Sequence, residues 1–252
     1  MQGMQRLKNR ILLFVNDCFE DKHNAAIGVF LQALHTKSCN RFCVIVGNKL
    51  KKSDSKMMKE NLLKQIEFIK EIDKIKYIQR RTKLFKSDRN ENDAEHSWHL
   101  AMMAMVLSEH SDAKIDLLKV IKMVLIHDIV EIDTGDIFLY DLNKNHDNTE
   151  EELKAAKRIF GILPEKQAAE FIKIWIEFED GITNEAKFAK SLDKLEPMLQ
   201  NATNNGGTWK EFDVKYQTVY DKKKSIKNGS TKLWDYAENL IKESVEKGFL
   251  DE

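Results

Sequence analysis

The strongest constraint on the fold is a series of segments in which apolar residues recur at helical spacing. Short polar connectors separate them, and the 252 residues include only 10 glycines and 2 prolines, too few for the many turns of an all-β protein. The segments are 57–78, 93–109, 114–131, 149–160, 165–178, 185–203, 209–226 and 230–247. The pattern predicts an all-α, bundle-like domain over residues 57–247.

Residues 1–56 fit this pattern less well, and we expect a small N-terminal extension of open function. Phe42–Val46 is strand-like, and residues 47–55 have the composition of a polar linker. His35, Cys39 and Cys43 recur every four residues, which would let them bind zinc on a helix. Zinc sites usually have ligands in closely spaced pairs, which this segment lacks. The alternative is that residues 1–56 form a small helical extension that packs on the main domain without a metal.

Composition excludes several classes of partner. Lys and Arg total 41 and Asp and Glu also total 41, so no global charge attracts the chain to nucleic acid or membranes. The run Lys222–Lys224 is predicted to be a solvated helix face. The apolar run Ile11–Val15 is too short for a signal peptide, and no run reaches the roughly 18 apolar residues of a membrane span. Three cysteines suit reduced thiols, so we expect a cytoplasmic protein.

The pair His127-Asp128 is the first candidate for chemistry. It lies in a strongly apolar segment with no glycine or proline, which predicts a largely buried helix. Burying an imidazole and a carboxylate is costly unless something satisfies them, and a metal ion bonds to both. The alternative is structural: a lone His-Asp pair more often lies at the end of a helix, where the His hydrogen-bonds to backbone carbonyls and the Asp is solvated.

Two further side chains favour the metal hypothesis. His96 is in an apolar segment that Asn92 and Glu95 open at capping-box spacing, and Asp193 lies between two leucines of another amphipathic segment. Two histidines and two carboxylates leave positions on a six-coordinate ion for water and a phosphate oxygen. We therefore predict one divalent metal ion held by His96, His127, Asp128 and Asp193. Cobalt, manganese, magnesium, nickel and zinc all suit these ligands.

The order His96, His127-Asp128 and Asp193, each in its own helical segment, resembles the HD-domain metal-dependent phosphohydrolases. Segment 127–136 has His-Asp, a Glu three residues later and then Thr-Gly-Asp, which resembles the branch of bacterial 5'-deoxynucleotidases and their eukaryotic relatives. Glu95–Ser97 and Ser191–Glu196 match the same branch, so the resemblance covers about residues 57–247. It implies an all-α HD-domain fold, phosphohydrolase activity and a homodimer.

The resemblance also implies catalytic roles. Glu131 would position the attacking water or take its proton, whereas a solvated helix face is the simpler interpretation of that residue alone. Asp136 follows Gly135 just past the expected helix end, where a loop can turn its carboxylate over the site. It would orient water or protonate the leaving oxygen. Which acid does which job stays open.

Substrate binding needs a cation because phosphate monoesters carry two negative charges. Arg80 and Arg81 are candidates, and the family's phosphate-binding Arg lies fifteen residues before the first His, which selects Arg81 over a plain surface role. Thr82–Phe85 departs from the aromatic or glycine-like break that often follows this Arg. Thr134 would hydrogen-bond to phosphate or sugar, or support the turn.

Other residues have structural interpretations. His99 is expected to pack in the core or to contact the metal ligands without binding the ion. Trp175 is expected in the core or on a dimer face, and Met102, Met103 and Met105 in a helix core.

The sequence therefore predicts an enzyme that removes phosphate from nucleoside monophosphates, with 2'-deoxynucleoside 5'-monophosphates as the first expectation. One alternative is an HD hydrolase of a nucleoside triphosphate or signalling nucleotide. The other is a non-catalytic regulator that binds metal and nucleotide. The expected partner is a small-molecule nucleotide.

Overall fold

A computed structural model of the chain describes residues 55, 57–141 and 149–252. The described part is mostly helical, as predicted. The strand-like run and the candidate zinc residues of the N-terminal extension lie outside the described residues. Contacts divide the chain into residues 1–60 and 61–252. The predicted boundary after residue 56 stays a prediction.

Ten helices and one hairpin form the described part, joined in places by 3-10 turns. They are α1 (57–72), β1 (Gln79–Lys83), β2 (Asn90–Asn92), α2 (Asp93–Leu107), α3 (Leu117–Ile126), α4 (Glu131–Thr134), α5 (Thr149–Phe160), α6 (Glu165–Asp180), α7 (Asn184–Thr203), α8 (Gly207–Glu211), α9 (Tyr216–Lys223) and α10 (Thr231–Glu246).

Several helix ends follow directly from capping chemistry. The predicted capping box of α2 is formed: the Glu95 backbone N–H donates to Asn92 Oδ1 at 3.0 Å, and the Asn92 N–H donates to Glu95 Oε2 at 3.1 Å. Asp116 caps α3 by accepting from the backbone N–H groups of Leu118 and Lys119. These caps fix the N-terminal ends of the two helices that carry the histidines toward the site.

The segment predicted as one helix over 114–131 is divided. The α-helix ends at Ile126, His127–Val130 forms a 3-10 turn, and α4 begins at Glu131. Side chains three residues apart nearly eclipse each other in 3-10 geometry, so Asp128 and Glu131 lie on one side of the chain. The predicted helix over 209–226 is likewise divided, into α8, α9 and a 3-10 turn over Lys224–Asn228.

The hairpin was not predicted. Strand β1 pairs antiparallel with β2, and successive side chains of a strand point to opposite faces. Arg80 and Arg81 on β1 are therefore directed differently, although they are neighbours in sequence. The strands are short and polar, so they lack the apolar alternation by which a strand is recognised.

The core lies between α2, α3, α6 and α7, where Leu100, Met123, Phe188 and Leu192 are fully buried. Trp175 is also in the core, and its indole N–H donates to the His127 carbonyl oxygen at 3.2 Å. The core prediction for the methionines was wrong for two of the three. Met103 is buried, but Met102 is 40% and Met105 55% exposed, because α2 is apolar on its outer face as well. None of the described helices has the length and apolar character to cross a membrane.

Candidate metal centre

The four predicted metal ligands lie in one cluster. His96 is on the first turn of α2, His127 and Asp128 are in the 3-10 turn after α3, and Asp193 is in the middle of α7. His96 Nε2 lies 3.1 Å from Asp193 Oδ1, and His127 Nε2 lies 2.9 Å from Asp128 Oδ1 and 3.8 Å from Asp193 Oδ1. Their roles as ligands stay predictions.

The tautomer of His127 suits a metal ion. Its Nδ1 lies 2.9 Å from the Val124 carbonyl oxygen, which can only accept, so Nδ1 carries the proton. The lone pair of neutral Nε2 then faces the carboxylate of Asp128, and this buried nitrogen makes no hydrogen bond within the described residues. Two electron-rich atoms at 2.9 Å repel each other unless a cation or a proton lies between them.

His96 also has carboxylates on both sides of its ring, but its hydrogen bond is between Nε2 and Asp193. Its Nδ1 lies 3.4 Å from Glu91 Oε2 and 3.3 Å from Glu196 Oε2, and its Nε2 faces Asp193 and, at 3.9 Å, Asp128. A carboxylate that accepts the Nδ1 proton directs the Nε2 lone pair toward the cluster and makes it more basic. Both imidazoles thus offer Nε2 to the same point, and the donor set fits a divalent ion.

Three fully buried carboxylates, Glu91, Asp93 and Glu196, form an inner carboxylate layer behind the histidines. Glu196 faces both His96 Nδ1 and His99 Nδ1, the latter at 3.1 Å. His99 therefore contacts a residue that orients a predicted ligand, as one of its two interpretations expected. The layer sets the orientation of the His96 ring.

The two arginines of β1 are in different surroundings. The Arg80 guanidinium lies 3.1 Å from Asp128 Oδ2, 3.5 Å from Asp93 Oδ1 and 3.6 Å from Glu91 Oε2. It is buried among protein carboxylates and holds Asp128 in place. Arg81 is exposed, and it makes no hydrogen bond or ion pair with any described residue. Of the pair, Arg81 is the one that keeps its donors for a ligand.

A cavity of about 220 Å³ opens beside the cluster. Its lining includes the charged residues Asp128 and Asp193, both arginines and the two predicted catalytic acids, Glu131 and Asp136. The lining also includes the apolar and aromatic residues Phe138, Tyr140, Pro197, Met198 and Trp209. The two predicted ligand carboxylates, the two predicted acids and Arg81 therefore share one cavity, whereas His96 and His127 are not part of its lining.

Thr134 differs from the other predicted site residues. It is absent from the wall of the cavity, and its hydroxyl donates to the Val130 carbonyl oxygen at 3.4 Å. This contact supports the turn that ends α4. Gly135 follows with φ of 74° and ψ of 156°, a conformation that favours glycine, and turns the chain so that Asp136 reaches the cavity. A substrate contact by Thr134 stays a prediction.

The pKa shifts distinguish Asp193, a predicted ligand, from Glu131 and Asp136, the predicted catalytic acids. Burial raises the pKa of Glu131 well above its usual value, and the negative charges of Asp128 and Asp93 raise it further. Burial also raises the pKa of Asp136, against the opposing effect of Arg80. Burial acts on Asp193 in the same direction, but the neighbouring imidazoles of His127 and His96 hold its pKa well below the usual value. Glu131 and Asp136 are thus suited to proton transfer.

The histidines respond to the same charges. Burial lowers the pKa of His127, but Asp128 and Asp193 outweigh it and raise the value to about 9. In the absence of an ion, a proton on the imidazole offsets the carboxylates that would otherwise share a cation.

Sequence reasoning missed three residues of the site. Arg80 was passed over for its neighbour, Glu196 received no role, and Lys223 was assigned to a solvated face. The last prediction was wrong: Lys223 is 4% exposed and lines the cavity, and burial lowers its pKa to about 8 against the effect of Asp193.

Comparisons with known proteins agree with this geometry. The family model of the HD domain matches residues 72–234. Human 5'-deoxynucleotidase HDDC2 is 30% identical over 136 residues, which cover 54% of this chain and 65% of the human protein. The 5'-deoxynucleotidase HDDC2 of Dictyostelium discoideum is 36% identical over 115 residues, which cover 44% of this chain and 60% of that protein. The match thus spans slightly less than two thirds of either relative.

A solved structure is also similar. It is the crystal structure of a predicted metal-dependent phosphohydrolase from Magnetospirillum magnetotacticum MS-1, with 47% sequence identity and a TM-score of 0.73. The similarity covers 77% of this chain and 97% of that one. The resemblance predicted from the His-Asp motif is therefore confirmed, and the chain belongs to the HD domain family.

Proposed function

We propose that the protein is a metal-dependent phosphohydrolase that converts 2'-deoxynucleoside 5'-monophosphates to nucleoside and phosphate. The observation that carries this proposal is the cluster of two imidazoles and two carboxylates, of which Asp128 and Asp193 line a cavity together with Arg81, Glu131 and Asp136. The names of the similar deoxynucleotidases support the substrate class.

A divalent ion bound at this point would acidify a water molecule and offset the charge of a phosphoryl group. His96, His127, Asp128 and Asp193 would hold it. Arg81 binds two phosphate oxygens through its parallel donors. Hydrolysis then needs one group to take a proton from the attacking water and one to return a proton to the ester oxygen as the P–O bond breaks. Glu131 and Asp136 fill these two roles as a pair.

The cavity suits a nucleotide because its lining combines cations with aromatic side chains. The phosphate group needs the cations, whereas a base and a deoxyribose offer flat and apolar surface to Phe138, Tyr140 and Trp209. The ring centroid of Phe138 lies 5.5 Å from that of Tyr140 and 4.7 Å from that of Phe212, so Phe138 and Tyr140 are in contact in the lining and Phe212 supports Phe138.

A homodimer is part of the proposal. Trp98, Met102, Met105 and Val106 are exposed at helical spacing along the outer face of α2, which forms an apolar stripe of the kind that subunit interfaces cover. We expect Trp98→Glu to convert a dimer into a monomer in light scattering, and wild-type protein that is already a monomer would contradict this part of the proposal. The cytoplasmic location stays a prediction.

The decisive experiment measures phosphate release from ribo- and deoxynucleoside mono- and triphosphates. Metal-stripped protein is reloaded with cobalt, manganese, magnesium, nickel or zinc, and Asp128→Ala serves as the control. We expect release from deoxynucleoside monophosphates that the variant loses. Cleavage of triphosphates alone would move the protein to another HD-domain activity, and no turnover with any metal would favour a binding-only regulator.

A further inference from the structure

Lys223 is a buried cation that the mechanism above does not use. It is the last residue of α9, it lies in the wall of the cavity near Asp193, and 4% of it is exposed. Its ammonium makes no hydrogen bond or ion pair with any described residue. Its sequence neighbours differ, since Lys222 and Lys224 are exposed and Lys224 pairs with Asp221 at 2.7 Å.

The helix holds Lys223 in this position. Val219, four residues earlier, and Ile226, three residues later, are fully buried, so Lys223 lies on the inward face of its chain segment. The ammonium faces the cavity and has no hydrogen-bond partner among the described residues, so its three donors are open to whatever occupies the cavity. An anion bound there would supply the hydrogen bonds that this largely buried cation lacks.

The charges around the cavity indicate which ligand this is. Four carboxylates line it, namely Asp128, Glu131, Asp136 and Asp193, and so do four cations, namely Arg80, Arg81, Lys194 and Lys223. Side chains of opposite sign thus balance in number, and a bound divalent ion leaves two positive charges. A phosphate monoester dianion supplies two negative charges.

Only part of this positive charge is available to a substrate. Arg80 donates to Asp128, and Lys194 donates to the Ser225 hydroxyl at 2.5 Å. Arg81 and Lys223 have no such partner among the described residues. They reach the cavity from different elements, β1 and the end of α9, so a phosphoryl group between them would meet donors from two walls.

We propose that the Lys223 ammonium binds a phosphoryl oxygen of the substrate and of the phosphate product. The identity of the ester rests on the proposed function, but recognition of the phosphoryl group does not. Three donors on a flexible stem suit a tetrahedral anion, and Lys223 would complement the planar, bidentate contact of Arg81.

The test measures the binding of inorganic phosphate to the full-length, manganese-loaded protein by calorimetry. Lys223→Met removes the charge and keeps an unbranched side chain in the buried space, whereas Lys222→Met removes a charge from the exposed neighbour. We expect Lys223→Met to weaken phosphate binding by about 10- to 100-fold, the range for a hydrogen bond to a charged group. Lys222→Met should bind phosphate as the wild type does. Lys223→Arg should recover part of the loss.

Equal phosphate affinity in Lys223→Met and wild type would overturn the proposal, and so would a wild type that binds no phosphate. A change in manganese affinity alone would also overturn it, because Lys223 would then only balance Asp193. Because no hydrogen bond is lost, Lys223→Met should keep the melting temperature of the wild type. If it does not fold, Lys223→Gln serves in its place. Phosphate binding is read without turnover, so failure of the proposed nucleotidase activity is a separate result.

Discussion

The two sides of the histidine cluster carry their positive charge in different ways. On the inner side, Arg80 is surrounded by Asp128, Asp93 and Glu91, and its charge is used within the protein. On the cavity side, Arg81 and Lys223 have no hydrogen-bond partner among the described residues. A cation that is paired with protein carboxylates, such as Arg80, holds those carboxylates in position. A cation without a partner in the protein, such as Arg81 or Lys223, indicates where an external anion binds.

The largest effect is expected on the cavity side. Glu131→Gln keeps the shape of the side chain but removes the group that exchanges protons with water and the ester oxygen. We expect kcat to fall by about 10²- to 10⁴-fold, the usual contribution of a general acid or base. Metal content should be unchanged because Glu131 is not among the predicted ligands. Phosphate release and elemental analysis of the same sample measure both quantities.

A matched substitution controls for removal of a carboxylate from the surface. Glu243 is exposed on α10 and pairs with Lys247 at 2.9 Å, so Glu243→Gln should leave kcat and metal content as they are. If Glu131→Gln lost its metal together with its activity, Glu131 would belong to the ion-binding set, and the division between the two sides would need to be redrawn.

The pH dependence of stability tests the histidine cluster, which lies between the inner side and the cavity side. In metal-free protein the pKa of His127 is raised from 6.5 to about 9, so its protonation stabilises the fold fully below pH 6.5, and this contribution is lost as pH rises through 9. Burial and Asp128 raise the pKa of Asp93 to about 7, which acts in the same direction. The shift of His127 alone should lower the free energy of unfolding by about 3 kcal/mol between pH 6 and pH 9, and Asp93 adds to this loss between pH 6 and pH 7.

Metal-loaded protein should respond in the opposite direction, because the ion binds neutral imidazoles and its binding is stronger at higher pH. The increase in melting temperature on adding manganese should therefore grow from pH 6 to pH 9. A metal-free protein that is equally stable at both pH values would show that the histidines share no proton with the carboxylates. His127→Gln should remove much of the slope.

On the inner side, Glu196→Gln should weaken metal binding without changing the ligands themselves. The Glu196 carboxylate faces His96 Nδ1 at 3.3 Å and sets the orientation and basicity of that ring. Loss of such a partner typically costs 10- to 100-fold in metal affinity. Competition with a chelator measures the effect. A kcat that drops at saturating metal would contradict a purely orienting role.

The fold was largely predictable because its helices are long and strongly periodic. Helices α5, α7 and α10 begin and end within about one residue of the predicted limits, since their apolar faces repeat over three or more turns. The hairpin and the 3-10 turn were missed because each is short and is held by contacts distant in sequence. The 3-10 turn matters for the site because it contains His127 and Asp128. The apolar residues around this pair had predicted that both lie within one continuous helix.

The site residues that belong to the His-Asp motif could be predicted from the sequence. The residues whose side chains reach the site only through the packing of the helices were harder to predict. Glu196 lies three residues after Asp193, so helical spacing alone would have placed it on the same side as the predicted ligand. Lys223 could have been found in the same way, because Val219 and Ile226 mark an inward face. The lysine run hid this signal, since three successive charges suggest a solvated surface. The choice of Arg81 over Arg80 relied on the family spacing, and the structure adds that their partners differ.

The smallest expected effect concerns the backbone that brings Asp136 to the cavity side. At Gly135, φ is 74° and ψ is 156°, and no atom lies within 4 Å of the position that a Cβ would take. Gly135→Ala therefore meets no clash but strains the backbone, at a cost on the order of 1 kcal/mol in the free energy of unfolding. Gly248→Ala is the matched control, because Gly248 has φ of 68° and equally open space. We expect chemical denaturation to show a loss of stability for each variant, and only Gly135→Ala to lower kcat, because only Gly135 precedes a predicted catalytic acid. If the two variants kept equal activity, the position of Asp136 would not depend on this turn, and its place in the proton transfer would lose its structural support.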